Sequence, residues 1–309
     1  MGVKPKTHEV FCSMSTFEQF AQAHGLNISR GLVLGQWVAV PTEDKPQKRN
    51  GRYKFMGSYG WVQNWATMDA PALWSHESPS CAVSQKAIEI AKQADAESVA
   101  RAYKAAKKAG WILHQAKPDI HEYLKRKGFT GEVGMVWHPV DSPAFLVVPM
   151  RTDNHLIGCQ LIQGDGTKKF LFGQRSKGAS YVIDGKGVPI FCEGYATGLS
   201  IRSAMKAMKH RYTIYVCFSA ANMREVASKI NGGLVVADND EMGIKTAESI
   251  GKPYWLSPVE GEDFNDFYQR TGLFSAMQSL KECLLSNTIF PSGERKILEF
   301  AERVPESLR

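Results

Sequence analysis

After Gly187 the chain alternates short apolar runs with helical stretches, and no other feature constrains the fold as much. Residues 188–192, 212–218, 233–237 and 254–256 read as strands, with helices over 196–208, 221–230 and 242–250 between them. Strands that alternate with helices need crossover connections, so the pattern implies a largely parallel sheet covered by helices. In an open sheet of this kind the working residues gather at the carboxyl ends of the strands. Three of those ends are acidic: 188–192 runs into Glu193-Gly194, 233–237 into Asp238-Asn239-Asp240, and the strand near Tyr254 into Gly261-Glu262-Asp263-Phe264-Asn265-Asp266.

Carboxylates delivered to one sheet edge repel one another unless a cation lies among them. Asp238 and Asp240, two residues apart on an extended segment, can aim oxygens to the same side, which suits a hard divalent ion. Mg²⁺ or Mn²⁺ is the expected cofactor, with a phosphate chain of the substrate completing its coordination. The same residues have a plainer reading, since an Asp-x-Asp after a strand also serves as a turn or a helix cap.

Upstream, the pattern changes. Phe17, Phe20 and Ala21 suggest a short helix, and 31–40 an apolar strand. The polar, basic excursion 41–52 ends in Asn50-Gly51, a hairpin signal. Residues 84–116 read as a long amphipathic helix joining domains, and 120–128 as a short basic helix stopped by Gly128. Residues 135–138, 144–149, 156–162 and 168–172 form a β meander with a turn at Asp165-Gly166. Lys45, Lys48, Arg49, Arg52 and Lys54 interleave with Tyr53, Phe55, Tyr59 and Trp61, a combination that can track phosphates while stacking unpaired bases, or can be the core of a small β domain.

Charge follows the same division. Residues 1–187 carry 24 Lys+Arg against 16 Asp+Glu, while 188–309 carry 14 against 15, so the whole net charge of +7 lies upstream. A basic half feeding a balanced half points to an anionic partner, nucleic acid first; a solvated basic surface is the alternative. No apolar run reaches the ~20 residues of a membrane helix, and the polar stretch 1–10 is unlike a signal peptide, so the expected location is the cytoplasm with no membrane partner. The six cysteines, Cys12, Cys81, Cys159, Cys192, Cys217 and Cys283, contain no CxxC pair, and His24, His76, His114 and His138 show no ligand spacing. No zinc is expected.

The residues Glu193-Gly-Tyr-Ala-Thr-Gly-Leu-Ser200, Asp238-Asn-Asp240-x-x-Gly243 and Gly261-x-Asp263-x-Asn265-Asp266 resemble the Toprim module, in the variant found in primases of phages, plasmids and mobile elements. The stretch Val148-Pro-Met-Arg151, Leu156-Ile-Gly158, Asp165-Gly166-x-Lys168-Lys-Phe170 and Lys177-Gly178 is similar to the basic segment that precedes Toprim in those primases. Tyr123-Leu-x-x-Lys-Gly128 and residues 41–65 look like flanks of such proteins. The resemblance implies an α/β fold: a Toprim-like, mostly parallel sheet with flanking helices, preceded by a β meander and a small basic N-terminal α+β module. The expected division is an N-terminal module (1–83), a helical linker (84–130), a basic β subdomain (131–187), the Toprim domain (188–272) and a C-terminal helical segment (273–309).

The function so implied is synthesis of short RNA primers on a single-stranded DNA template from nucleoside triphosphates, beside a separate replicative helicase, in a bacterial host cell. Glu193, Asp238 and Asp240 would be catalytic. These three and Asp263 would hold the metal, with Glu193 as ligand or acid/base. Arg151, Lys168, Lys169 and Lys177 would meet the triphosphate, and Lys48, Arg49, Arg52, Lys54, Tyr53 and Trp61 the nucleic acid. The chemistry suits such residues, because phosphoryl transfer depends on positioning and charge neutralisation. Departures are visible as well. No cysteine pairs build the zinc module of many replicative primases, no GxxxxGK[ST] supplies a motor, and Leu161 stands where some relatives have lysine. A Toprim nuclease and a non-catalytic single-strand-binding adaptor that recruits a helicase are the alternatives.

Overall fold

Alternation of side chains builds the first sheet. The computed structural model describes residues 16–68, 70–75, 85–183 and 185–286. Four strands, β1 (Trp37–Val40), β2 (Gly51–Phe55), β3 (Tyr59–Asn64) and β4 (Ala72–Ser75), pair antiparallel in chain order. One face carries Val38, Tyr53, Val62 and Ala72 in a single cross-strand row, flanked by Val40, Phe55 and Trp74, and α1 (Phe17–Ala23) buries Phe17, Phe20 and Ala21 against it. A capping box starts α1: Thr16 Oγ1 accepts from the Gln19 amide while Gln19 Oε1 accepts from the Thr16 amide.

The hairpin signal at Asn50-Gly51 marks a different device from the expected turn. Gly51 is the first residue of β2, opposite Val40, and the loop is the whole of 41–50. Glycine is needed there for room, since a Cβ would lie 2.8 Å from Thr42 Cγ2 and 3.0 Å from Leu26 Cγ. Residues 31–36, expected to extend the first strand, precede β1 without joining it.

The chain divides into two compact units, 1–100 and 101–309. The helix α2 (Gln85–Gln115) runs across that division. In the second unit β5 (Lys117–Ile120), β6 (Val133–Trp137), β7 (Phe145–Thr152), β8 (His155–Ile162) and β9 (Lys168–Phe170) form an antiparallel sheet in chain order, with α3 (Glu122–Arg126) between β5 and β6. Pro118 had hidden β5 inside the segment read as helical linker. Both faces of this sheet are covered, which explains the unbroken apolar run of β7. Phe145 and Val147, with Cys159 and Leu161 of β8, pack under Ala105, Ala109 and Ile112 of α2. Leu146, Val148, Met150 and Ile162 face the main core. Leu161 is thus a packing residue beneath α2.

The remaining elements are β10 (Tyr181–Ile183), β11 (Val188–Cys192), α4 (Tyr195–Ala207), β12 (Tyr212–Val216), α5 (Ala220–Ala227), β13 (Leu234–Val236), α6 (Glu241–Ile250), β14 (Tyr254–Trp255) and α7 (Phe264–Ser286). Their sheet has the order β10-β12-β11-β13-β14, parallel except for β10, which lies antiparallel on β12. The fold is therefore α/β with a mainly parallel sheet, and β10 joins that sheet from the segment expected to belong to the basic β subdomain. Tyr195, Leu199, Phe264 and Leu280 put α4 and α7 on one face; Met223, Val226 and Ala247 put α5 and α6 on the other. Strand β12 lies to one side of β11, and β13 to the other. The chain therefore reverses its direction of winding at the carboxyl ends of β11 and β13, where open α/β sheets place ligands.

The helix α7 spans the expected boundary at 272/273, with Gly272 breaking it in a conformation (φ 84°, ψ 169°) that other residues avoid. Residues 1–10, Cys12, His76, Cys81, the expected boundary at 83/84 and residues 287–309 lie outside the described residues. Among the described residues no helix is long and apolar enough to cross a membrane.

Candidate active site at the carboxyl edge of the parallel sheet

Glu193 directly follows β11, Asp238 follows β13 after Ala237, and Asp263 immediately precedes α7. The loops that carry Asp238 and Asp263 are tied together by Asn239. Its amide donates to Glu262 O (3.0 Å), its carbonyl accepts from Gly261 N (2.6 Å) and its side chain donates to Ser257 O (2.9 Å). The expected acidic turn at 261–263 divides its labour. Glu262 accepts from Ser257 (2.7 Å) and from Arg270 (2.6 and 2.8 Å), whose guanidinium, with the Ser257 hydroxyl, pulls its carboxyl down to about 2. Asp263 instead turns one oxygen to its own helix start, accepting from Asp266 N (2.8 Å), and the other to Thr197 Oγ1 of α4 (3.4 Å).

Asp238 is the strained member. Burial pushes its carboxyl up to about 7, reinforced by the negative charges of Glu193, Asp263 and Asp240 and opposed by Lys168. Its Oδ1 is buried and has no hydrogen-bond partner, a situation that costs roughly 1–3 kcal/mol and more for a charged group. Glu193 is likewise raised by burial, against the pull of Lys168 and of the Ala220 amide at the start of α5. Asp240 is exposed and caps α6: its Oδ1 accepts from Gly243 N at 2.6 Å. The cap needs glycine at 243, because a Cβ there would lie 2.2 Å from the Asp238 carbonyl oxygen. Asp-x-Asp-x-x-Gly is thus a strand-to-helix junction as well as an acidic pair, and Asp240 combines the plain and the chemical reading.

Of the four basic residues expected to meet a triphosphate, Lys168 is the one coupled to the acids. It sits on β9, acts on both Glu193 and Asp238, and brings Nζ within 4.0 Å of where a Cβ on Gly194 would stand. Lys169, next on the strand, points to the opposite face of the sheet. Arg151 donates to Asn154 O (3.1 Å) at the tip of the β7–β8 hairpin, and Lys177 pairs with Glu225 of α5 at 3.5 Å. The structure brings neither into contact with the carboxylates. Tyr53, expected at a nucleic-acid surface, is 1% exposed in the N-terminal core, its hydroxyl accepting from Val33 N (3.1 Å); that expectation is corrected. Its neighbours alternate outward, and the period of two places Tyr53 inward.

Sequence reasoning assigned Lys168 but missed the other walls of the site. A cleft of about 430 Å³ is lined by Tyr123, Arg126 and Lys127 at α3, by Asp165, Gly166 and Lys168 at the β8–β9 turn, and by Asp266 and Gln269 of α7. Asn265 joins the two sides, donating to Lys127 O (2.9 Å) and Ser200 Oγ (3.0 Å) and accepting from Gln269 (3.0 Å). Lys127 reaches Asp266 at 3.2 Å and Arg126 donates to Gly164 O at 2.8 Å. Burial raises Tyr123 to about 12, so it is a neutral phenol there. The motif around Tyr123 was visible in the sequence, but nothing local said that α3 would dock beside the acidic edge.

Among the described residues no three His, Cys, Asp or Glu side chains converge as a ready metal cage. The donor set nevertheless fits a hard divalent cation. It is all oxygen, it leaves Asp238 Oδ1 unpartnered, and burial together with the neighbouring negative charges raises Asp238, which a bound cation would oppose. Cys159, Cys192 and Cys217 are buried and their thiols are pushed up by burial, which makes them packing residues.

No protein-family model and no curated protein matches the chain. The chain is similar in structure to the primase fragment of the bacteriophage T7 primase-helicase protein, with TM-score 0.36 and 15% identity over 53% of this chain and 69% of that one. At that level of similarity the match decides neither fold nor activity.

Proposed function

We propose that the second unit is a Toprim-type catalytic core that carries out metal-dependent nucleotidyl transfer, as a DNA primase extending short primers on single-stranded DNA from nucleoside triphosphates. The observation that carries this reading is Asp238: a half-buried carboxylate with an orphan oxygen, under the negative charges of Glu193, Asp263 and Asp240, at the point where the winding of a parallel sheet reverses. A carboxylate raised to about 7 by burial and like charges costs stability, and cells of charge like this are found at functional sites. The motifs at 193–200, 238–243 and 261–266 supply the Toprim reading.

When bound, Mg²⁺ or Mn²⁺ would supply charge neutralisation for the developing phosphate, held by Asp238 and Glu193 with Asp240 and Asp263 around them. The chain's own residues do the rest. Asn239 fixes the spacing of the two acidic loops. Lys168 offers a positive charge beside them to the oxygens of a triphosphate. Arg126 and Lys127 extend that charge along the cleft, where the tail of the nucleotide has room. With the ion on the aspartates instead, Glu193, raised by burial, would take the proton of an attacking hydroxyl.

The deciding assay supplies labelled nucleoside triphosphates, single-stranded DNA and Mg²⁺ or Mn²⁺ to the full chain and resolves short products. Template-dependent oligomers are expected. Shortened DNA would replace the reading by nuclease action at the same carboxylates, and no change in either substrate would leave a binding protein.

A further inference from the structure

The outer face of the N-terminal sheet is made of rings and cations. The cross-strand row Trp37–Lys54–Trp61–Leu73 lies on it, with Ala39–Arg52–Gln63 as the next row and Tyr59 beside Trp61. Trp37 is 41% exposed and Leu73 44%, and Trp65, just past β3, is 43% exposed. Arg52 lies between two of these rings, its guanidinium 4.4 Å from the Trp37 centroid and 5.6 Å from that of Trp65, and is locked by two bonds to Gln63 Oε1 at 3.1 and 2.8 Å. Tyr59 braces Trp61 edge-on at 5.2 Å. The rings are therefore held open by their neighbours instead of collapsing onto one another.

The charge is one-sided. The four strands contain Arg52 and Lys54 and no Asp or Glu, and the loop 41–50 adds Lys45, Lys48 and Arg49 against Glu43 and Asp44. A protein partner for an aromatic face favours a centre depleted of charged residues, Lys above all. Here Lys54 stands in the middle of the row. Trp37 and Trp61 flank it from strands that are two positions apart, about 10 Å, far enough for each ring to take a different base while the cations between them take phosphates. A duplex hides its base faces, so rings of this kind serve unpaired strands.

We propose that the outer face of β1–β4 binds an unpaired nucleic-acid strand, with bases stacked on Trp37 and Trp61 and phosphates on Arg52 and Lys54. This assigns a binding face independent of the carboxylate site, keeps Trp61 among the aromatic contacts and replaces the buried Tyr53 by Trp37.

The test uses the full chain without metal or nucleotide and a labelled oligodeoxythymidylate of about 15 nucleotides, at the upper end of known site sizes. Trp37→Ala and Trp61→Ala should each weaken binding about tenfold, the scale of one lost base stack, with unchanged far-ultraviolet dichroism and melting temperature. Trp37→Phe should restore most of the affinity. Lys54→Ala should flatten the salt slope by ~0.7, one phosphate on a single strand. Unchanged affinity in the Trp37→Ala/Trp61→Ala double variant, or tighter binding to a duplex of equal length, overturns the proposal. Asp238→Asn separates the two readings: it should bind the oligonucleotide like the wild type, and loss of binding in this variant alone would place the strand on the acidic edge and also overturn the assignment.

Discussion

The acidic edge of the parallel sheet and the outer face of the N-terminal sheet handle charge in opposite ways. At the first, Asp238 is half-buried under the negative charges of Glu193, Asp263 and the exposed Asp240, and the cost appears as a raised carboxyl and an unpartnered oxygen. At the second, cations are spread over an open surface, and Arg52 is satisfied by Gln63 and by two indole faces. The crowded site stores unfavourable energy that a specific ion can release; the open face has little to release and gains only what a long polyanion brings to it. The comparison predicts a sharp, all-or-none response to substitution at the edge and a graded response on the face.

The largest effect is expected at Asp238. Asp238→Ala should reduce primer synthesis by about 10² or more, the scale of one preorganised electrostatic group, while leaving oligonucleotide affinity within twofold. Equal losses in both assays would dissolve the distinction between the two regions.

Asp240 comes next, because it does two jobs. Asn is as good a helix cap as Asp, so Asp240→Asn keeps the bond to Gly243 N and removes the charge. Asp240→Ala removes both and should lower stability by about 1 kcal/mol as well. If the charge matters for chemistry, the two variants lose comparable activity and only the alanine melts earlier. Wild-type activity in Asp240→Asn would reduce Asp240 to a cap. Lys168 and Lys169 offer a smaller contrast. Kinetics at varied nucleotide concentration should show Lys168→Ala losing about tenfold in kcat/KM, the scale of a charge-assisted contact, while Lys169→Ala, on the opposite face, changes little. Equal effects would mean that both lysines work through the general basic field.

What the sequence disclosed about the two regions differs for a physical reason. The alternation after Gly187 exposed the parallel sheet, and chain order alone put Glu193 and Asp238 just past strand ends and Asp263 in the turn that leads from the last strand into α7. The cleft beside them was not readable in this way, because α3 reaches it through Asn265, a residue about 140 positions away from Lys127 with no local pattern linking the two. β5 and β10 were missed since short strands are fixed by their neighbours: Pro118 argues against a strand, and residues 181–183 gain their identity only from pairing with β12. On the N-terminal sheet the composition of the face was plain, yet the direction of each ring depends on register. A single step in the period of two separates buried Tyr53 from Arg52 and Lys54.

The smallest effect reads the stored repulsion directly, as stability without metal. The carboxyl of Asp238 moves from an ordinary value of 3.8 up to about 7, with burial the main cause and Glu193, Asp263 and Asp240 adding to it. In the window between these values the folded protein binds more protons than the unfolded chain, so stability falls as pH rises. The penalty is absent below 3.8, grows through the window and is complete above 7. Asp238→Asn removes it. Melted without divalent ions, the variant should match the wild type near pH 4 and exceed it by a few degrees at pH 8, a degree or so for each few tenths of a kcal/mol in a protein of this size. Mg²⁺ should stabilise the wild type more than the variant, because a cation at Asp238 cancels the repulsion that the asparagine never had. The N-terminal face gives the control: Trp37→Ala keeps Asp238 and should follow the wild type in both its pH dependence and its metal response. A wild type whose melting temperature rises between pH 5 and 8 relative to Asp238→Asn would reverse the sign, and with it the account of the acidic edge as a site held under charge repulsion.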